Sequence, residues 1–108
     1  MNQKQFLKHI ENTFEFALNL VRRKNADYAT GVDPFKNFKF ASLIGMTVED
    51  AILVRVSDKL ARIANLLRKD DVAVKDESID DTCIDIVNYV AILMAYRENE
   101  KQKLQSKE

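Results

Sequence analysis

Apolar residues recur along most of the chain at three- and four-residue intervals, the spacing that turns one side of an α-helix toward a core. Phe6, Ile10, Phe14, Ala17 and Val21 define a first helix, expected over Gln3–Lys24. Ile52, Val56, Leu60, Ile63 and Leu67 define another, which starts after Thr47 and closes at Arg68, Lys69 and the acidic pair Asp70–Asp71. The Thr47 hydroxyl is placed to accept from the Asp50 amide three residues on, the geometry of a helix cap. A last long helix is expected from near Ser78, with Ile79, Cys83, Ile86, Val87, Val90 and Met94 as its core face. From Asn99 the sequence turns polar and is expected to fray, so the domain is placed at 1–98 and a tail at 99–108.

Between the first two stripes lie more than 20 residues without one, too long for a structureless connection in a compact domain. That stretch carries its own punctuation. Asp33 can cap a helix beginning at Pro34, and Gly45 can end it in the left-handed conformation, giving a short helix at Pro34–Ile44 and a loop from Asn25 to Asp33. With only 2 Gly and 1 Pro in 108 residues, the remaining segments must be long. The expected fold is all-α, a small bundle of three long helices and one short helix. A chain of this size makes a thin core by itself, so an oligomer is expected.

Lys plus Arg and Asp plus Glu both number 17, and the zero net charge argues against a nucleic-acid polymer or an anionic membrane surface as partner. No apolar run reaches the length of a membrane span. The amino-terminal stretch is amphipathic, without the apolar core of a signal peptide, so a cytoplasmic location is expected. Cys83 and His9 are single, which disfavours a His/Cys zinc site and a Ser-His-Asp triad. Cys83 is expected buried and His9 exposed. The charge is nevertheless unevenly spread: residues 70–90 hold seven acids against one Lys. Internal ion pairing and a metal site beside a phosphate site both account for that.

The last long helix carries a second stripe, Asp81, Asp85, Asn88 and Ile92, nearly opposite its core face, so it is expected to be covered on two sides. Carboxylates one turn apart can share a hard cation. Asp81 can equally cap amides in the first turn, Asp85 can pair with Arg or Lys, and Asn88 can bridge helices. On the preceding long helix Arg55, Asp58 and Arg62 stand at spacings of three and four, with Lys59 at the border. They form either a surface ion-pair ladder or a site for a phosphate chain. Tyr28, Phe35, Phe38 and Phe40, interleaved with Lys36 and Lys39, read as core or as rings that stack a base beside cations.

The combination Asp27-Tyr28, Asp33-Pro34-Phe35-Lys36-Asn37-Phe38, Arg55…Asp58-Lys59…Arg62 and Asp81-Thr82…Asp85…Asn88-Tyr89 resembles the nucleotide-modification-associated, MazG-like proteins of phages and prophages. These are related to the all-α nucleoside triphosphate pyrophosphohydrolases. The resemblance spans about residues 20–96. It implies a helical bundle assembled as a dimer or tetramer, with a small-molecule nucleotide between helices and Mg²⁺ held by acids from two helices. On that pattern Asp58, Asp81 and Asp85 would hold the metal, and Asp58 and Asp85 would be catalytic. Lys24, Tyr28, Lys36, Asn37, Arg55, Lys59, Arg62, Asn88 and Tyr89 would contact nucleotide or phosphate.

The chain departs from the superfamily's EExxE and ExxD motifs. Glu49 and Asp50 stand about two turns from Asp58, and Asp81 and Asp85 are spaced by four. Fewer acids and more cations favour binding over turnover. Three functions remain open at this point: a Mg²⁺-dependent pyrophosphohydrolase acting on nucleotide pools, a non-hydrolysing sponge that sequesters a nucleotide immune signal, and a purely structural bundle.

Overall fold

The computed structural model describes residues 1–26, 33–70 and 72–106. Among them the elements are all helical: α1 (Gln3–Ala26), α2 (Lys36–Lys39), a 3-10 turn (Phe40–Ile44), α3 (Val48–Leu66) and α4 (Val72–Ser106). The expected all-α class holds. None of these helices is long and apolar enough to cross a membrane.

Local signals set most boundaries. Asn2 and Gln5 cap α1 reciprocally: the Gln5 amide donates to Asn2 Oδ1 at 2.8 Å and the Asn2 amide to Gln5 Oε1 at 2.9 Å. Asp33 Oδ1 accepts from the Phe35 amide at 2.9 Å, holding the turn that opens α2. The expected Pro34–Ile44 helix is divided into one turn of α-helix and the tighter 3-10 turn. Gly45, at φ +79°, ends it: its amide donates to the Ser42 carbonyl, and the Met46 amide donates to that of Ala41. Thr47 Oγ1 accepts from the Asp50 amide at 3.0 Å, with Glu49 and Asp50 at the positive end of α3.

The core sits where α2, α3 and α4 meet. Phe38, Val48 and Ile52 are buried, Ile52 completely (0% exposed), and Ala51, Tyr89, Ile92, Leu93 and Tyr96 pack against them. In α4 the side facing α3 is therefore the one carrying Asp85, Tyr89, Ile92 and Tyr96. This corrects the expected core face: Cys83, Val90 and Met94 are exposed, Met94 to 69%. Both faces of α4 are apolar enough to be buried, and the two tyrosines, whose rings fit beside Phe35 and Phe38, decide the rotation. In α3, Leu60 and Leu67 are likewise exposed and Leu66 is buried instead.

α1 packs on α4 alone among the described residues, and only Ala17 (2% exposed) is buried there. Phe6, Ile10 and Phe14, expected in the core, overhang without cover. α4 begins at Val72 and not near Ser78, and it continues to Ser106 through the segment expected to fray. Glu98, Glu100, Lys101, Gln102 and Lys103 are good helix formers, and Lys103 pairs with Glu100 at 3.3 Å. His9 is exposed, as expected.

Candidate functional site

One side of α3 carries Ala51, Arg55, Asp58, Arg62 and Asn65, each three or four residues after the last, and Lys69 follows just past its end. Two hollows open along this stripe. The first, of about 300 Å³, lies between α2, the 3-10 turn and α3, lined by Asn37, Phe38, Phe40, Ala41, Ile44, Met46, Ala51, Val54 and Arg55. It is mainly apolar, with one amide and one guanidinium. The Arg55 guanidinium carbon stands 5.9 Å from the centre of the Phe38 ring, within cation–π reach. The second, of about 370 Å³, is lined by Asp58, Ala61, Arg62, Asn65, Leu66 and Lys69. It brings two cations and one carboxylate to an open surface.

The segment bearing Asn37 and Phe38 is fixed by polar contacts of its own. Asp33 forms an ion pair with Lys39 while accepting from the Phe35 amide. The hydrogen bond from Lys39, then that from the Phe35 amide, holds the Asp33 carboxyl below the usual carboxylate range. The same hydrogen bond to Asp33 raises the Lys39 ammonium above its ordinary value.

The expected site residues divide into groups. Asn37 and Arg55 share the first hollow, and Asp58 and Arg62 share the second. Lys59 lines neither hollow and reaches α4, with its Nζ 3.1 Å from Asp85 Oδ2. Tyr89 meets the Phe38 ring edge-on at 6.2 Å, so its ring packs in the core. Lys24, Lys36, Asp81 and Asn88 line neither hollow; the first three are exposed and Asn88 is half-buried. Tyr28, with Asp27, lies outside the described residues.

The expected metal set does not form: among the described residues no three His, Cys, Asp or Glu side chains stand together as a group that could hold a metal ion. Asp85 faces α3 and is engaged by Lys59, whereas Asp58 faces the second hollow beside Arg62. Asp58, Asp81 and Asp85 thus stand apart from one another within the described chain.

Asn65 and Lys69 were readable from the sequence as the continuation of the Arg55, Asp58, Arg62 spacing by three and four. Ile44 and Met46 carried no such signal, because they belong to the turn around Gly45 whose path periodicity does not describe.

A family model described as nucleotide modification associated domain 1 matches residues 24–95. The chain belongs to this family. The matched span runs from the end of α1 into α4, so nucleotide modification associated domain 1 contains both hollows and the Lys59–Asp85 pair. It leaves out most of α1 and the part of α4 from Tyr96 onward. No curated protein and no solved structure matches the sequence.

Proposed function

We propose that this protein binds a small nucleotide along the α3 stripe and does not cleave it. The observation that carries this reading is the sequence of environments on one helix face. An apolar, aromatic-walled hollow under Arg55 suits a base, and a second hollow with Arg62 and Lys69 suits phosphates. Arg55 and Arg62 are seven residues apart, about 10 Å along the axis at 1.5 Å per residue. Asp58, between them, supplies an acceptor for a sugar hydroxyl. The family description, which links the domain to nucleotide modification, supports the same substrate class.

Hydrolysis by metal-activated water needs carboxylates that converge on one ion, and among the described residues no group of three does. Binding without turnover makes sequestration of a nucleotide the favoured role. The test is a thermal-shift screen of nucleoside mono-, di- and triphosphates and cyclic nucleotides, followed by chromatography of the released ligand. Free ligand at 100 times Kd stabilises by about 2.7 kcal/mol, which raises Tm by on the order of 10 °C in a domain this size. Arg62→Ala is expected to weaken binding tenfold or more, with the ligand recovered intact. A screen without any shift, or recovery of a cleaved product, rejects the reading.

The same reading includes self-association, and the surface supports it independently. The chain exposes 8572 Å², against about 6,200 Å² for a monomeric protein of its mass. The excess, about 2,400 Å² per copy, belongs to an elongated chain, 52 × 34 × 26 Å, and part of it is apolar. It includes Phe6, Ile10 and Phe14 on α1 and Val90 and Met94 on the outer side of α4. A second copy of this chain is the occupant we assign to these faces; with zero net charge, two copies do not repel. Light scattering after gel filtration is expected to give a dimer or tetramer, and Phe14→Glu to dissociate it. A monomeric wild-type protein at 100 µM, a concentration chosen for the test, overturns the assembly.

A further inference from the structure

The end of α4, beyond the span that the family model covers, touches the segment that forms one wall of the first hollow. Phe35 and Phe38 are both buried, and each meets the edge of a tyrosine on α4. Phe38 meets Tyr89 at 6.2 Å and 85°; Phe35 meets Tyr96 at 5.3 Å and 78°. Two rings three residues apart on the short segment thus match two rings seven residues, or two turns, apart on α4. Tyr89 lies within residues 24–95 and Tyr96 lies just outside them.

The Asp33–Lys39 pair also feels a weak, longer-range attraction from Lys103 and Glu100 on α4. Phe35, Asp33 and Lys39 are tied to one another by the hydrogen bonds of the turn. A force on Phe35 is therefore transmitted to Phe38 and Lys39, whose amides donate to its carbonyl.

We infer that α4 at Tyr96 is a clasp that holds residues 33–39 against α3 and so fixes the first hollow, with Tyr96 as its positioning residue. Its consequence for ligand affinity rests on the nucleotide-binding reading above; the clasp itself does not. Edge-to-face packing uses the ring and not the hydroxyl. Tyr96→Phe therefore keeps the clasp and Tyr96→Ala removes it.

Amide hydrogen exchange on the full chain decides this without any nucleotide. In Tyr96→Ala the Phe38 and Lys39 amides are expected to exchange at least about tenfold faster, while those in the middle of α3 stay protected. Tyr96→Phe restores wild-type rates. Tyr96→Leu, which keeps apolar bulk and loses the edge-to-face contact, is expected to speed exchange of the same two amides severalfold, and it serves where Tyr96→Ala does not fold. Wild-type rates at Phe38 and Lys39 in Tyr96→Ala, or in Tyr96→Leu where that variant is the one that folds, overturn the clasp. With adenosine and guanosine triphosphate as probes, Kd is expected to rise about tenfold in Tyr96→Ala and not in Tyr96→Phe. If the wild-type protein binds neither probe, exchange still decides the clasp.

Discussion

Lys59 Nζ lies 3.1 Å from Asp85 Oδ2 and joins α3 to α4, and neither side chain lines either of the two hollows. Each side chain is about one-third exposed (32% and 33%), so the pair is partly screened and worth about 0.2–1 kcal/mol. Asp85→Asn is accordingly expected to lower stability by no more than about 1 kcal/mol in urea unfolding. It is expected to leave nucleotide affinity unchanged, with or without Mg²⁺. A magnesium-dependent loss of binding in Asp85→Asn would restore this carboxylate as a metal ligand.

The core prediction concerns Ile52, the one large side chain with no exposure among the described residues. Ile52→Ala removes three carbons from the contact with Phe38, Val48 and the tyrosines of α4 and leaves a cavity at the meeting point of three elements. The expected cost is about 2–5 kcal/mol, and Ile52→Val about 0.5–1.5 kcal/mol. Chemical denaturation read by far-UV circular dichroism measures both. A cost below about 1 kcal/mol for the alanine would mean that this cluster is not the core.

Gly45 isolates a backbone effect. Its φ is +79°, and a Cβ added there would meet nothing within 4 Å. Gly45→Ala therefore introduces no clash, and its expected destabilisation, about 1–2 kcal/mol, is the cost of holding an L-residue in the left-handed region. Gly45→Asn is expected to lose less, since asparagine visits that region more readily. Equal losses in the two thermal unfolding curves would argue against this account.

The Asp33–Lys39 pair gives a pH dependence with a defined sign. The folded-state pKa of Asp33 is depressed, so its contribution is complete above the ordinary carboxylate value, about 4, and is lost as pH falls below it. The folded-state pKa of Lys39 is raised, so its contribution is complete below about 10.4 and is lost as pH climbs past that value. Between these limits the segment is expected to stay docked. Following the Phe35 and Lys36 amide resonances from pH 6 to pH 2 checks the acid limb. Asp33→Asn should abolish the acid transition; a transition unchanged in that variant assigns it to another group.

Much of the fold was legible because its boundaries are written in local chemistry. Thr47 and Gly45 each act within a few residues and do in the structure what their positions suggest, whereas Asp33 holds the turn ahead of α2, whose N-cap is Phe35, and does not cap a helix at Pro34. The rotation of α4 was not legible. Periodicity finds two stripes on this helix and gives the angle between them, but which one faces α3 depends on partners distant in sequence. Tyr89 and Tyr96 belong to neither of the two expected stripes, yet their rings meet Phe38 and Phe35. The polar stretch after Asn99 misled for a related reason: polarity excludes a buried face, and it does not exclude a solvated helix.

The candidate site follows the same division. Arg55, Asp58 and Arg62 share a face because one helix fixes their spacing, and that much needs only the sequence. The separation of Asp58 from Asp85 depends on how α3 and α4 are turned toward each other, and no spacing within a single helix encodes it.

The position of the buried cluster makes the two ends of the α3 stripe mechanically unlike. Phe38, Val48 and Ile52 anchor the end beside Arg55, whereas Leu66 is the one buried apolar side chain of α3 near Arg62, and Leu60 and Leu67 lie open. A ligand lying along the stripe would meet a stiff template at its ring and a compliant grip at its tail. Discrimination would then be sharp for the heterocycle and tolerant of the length of the anionic chain.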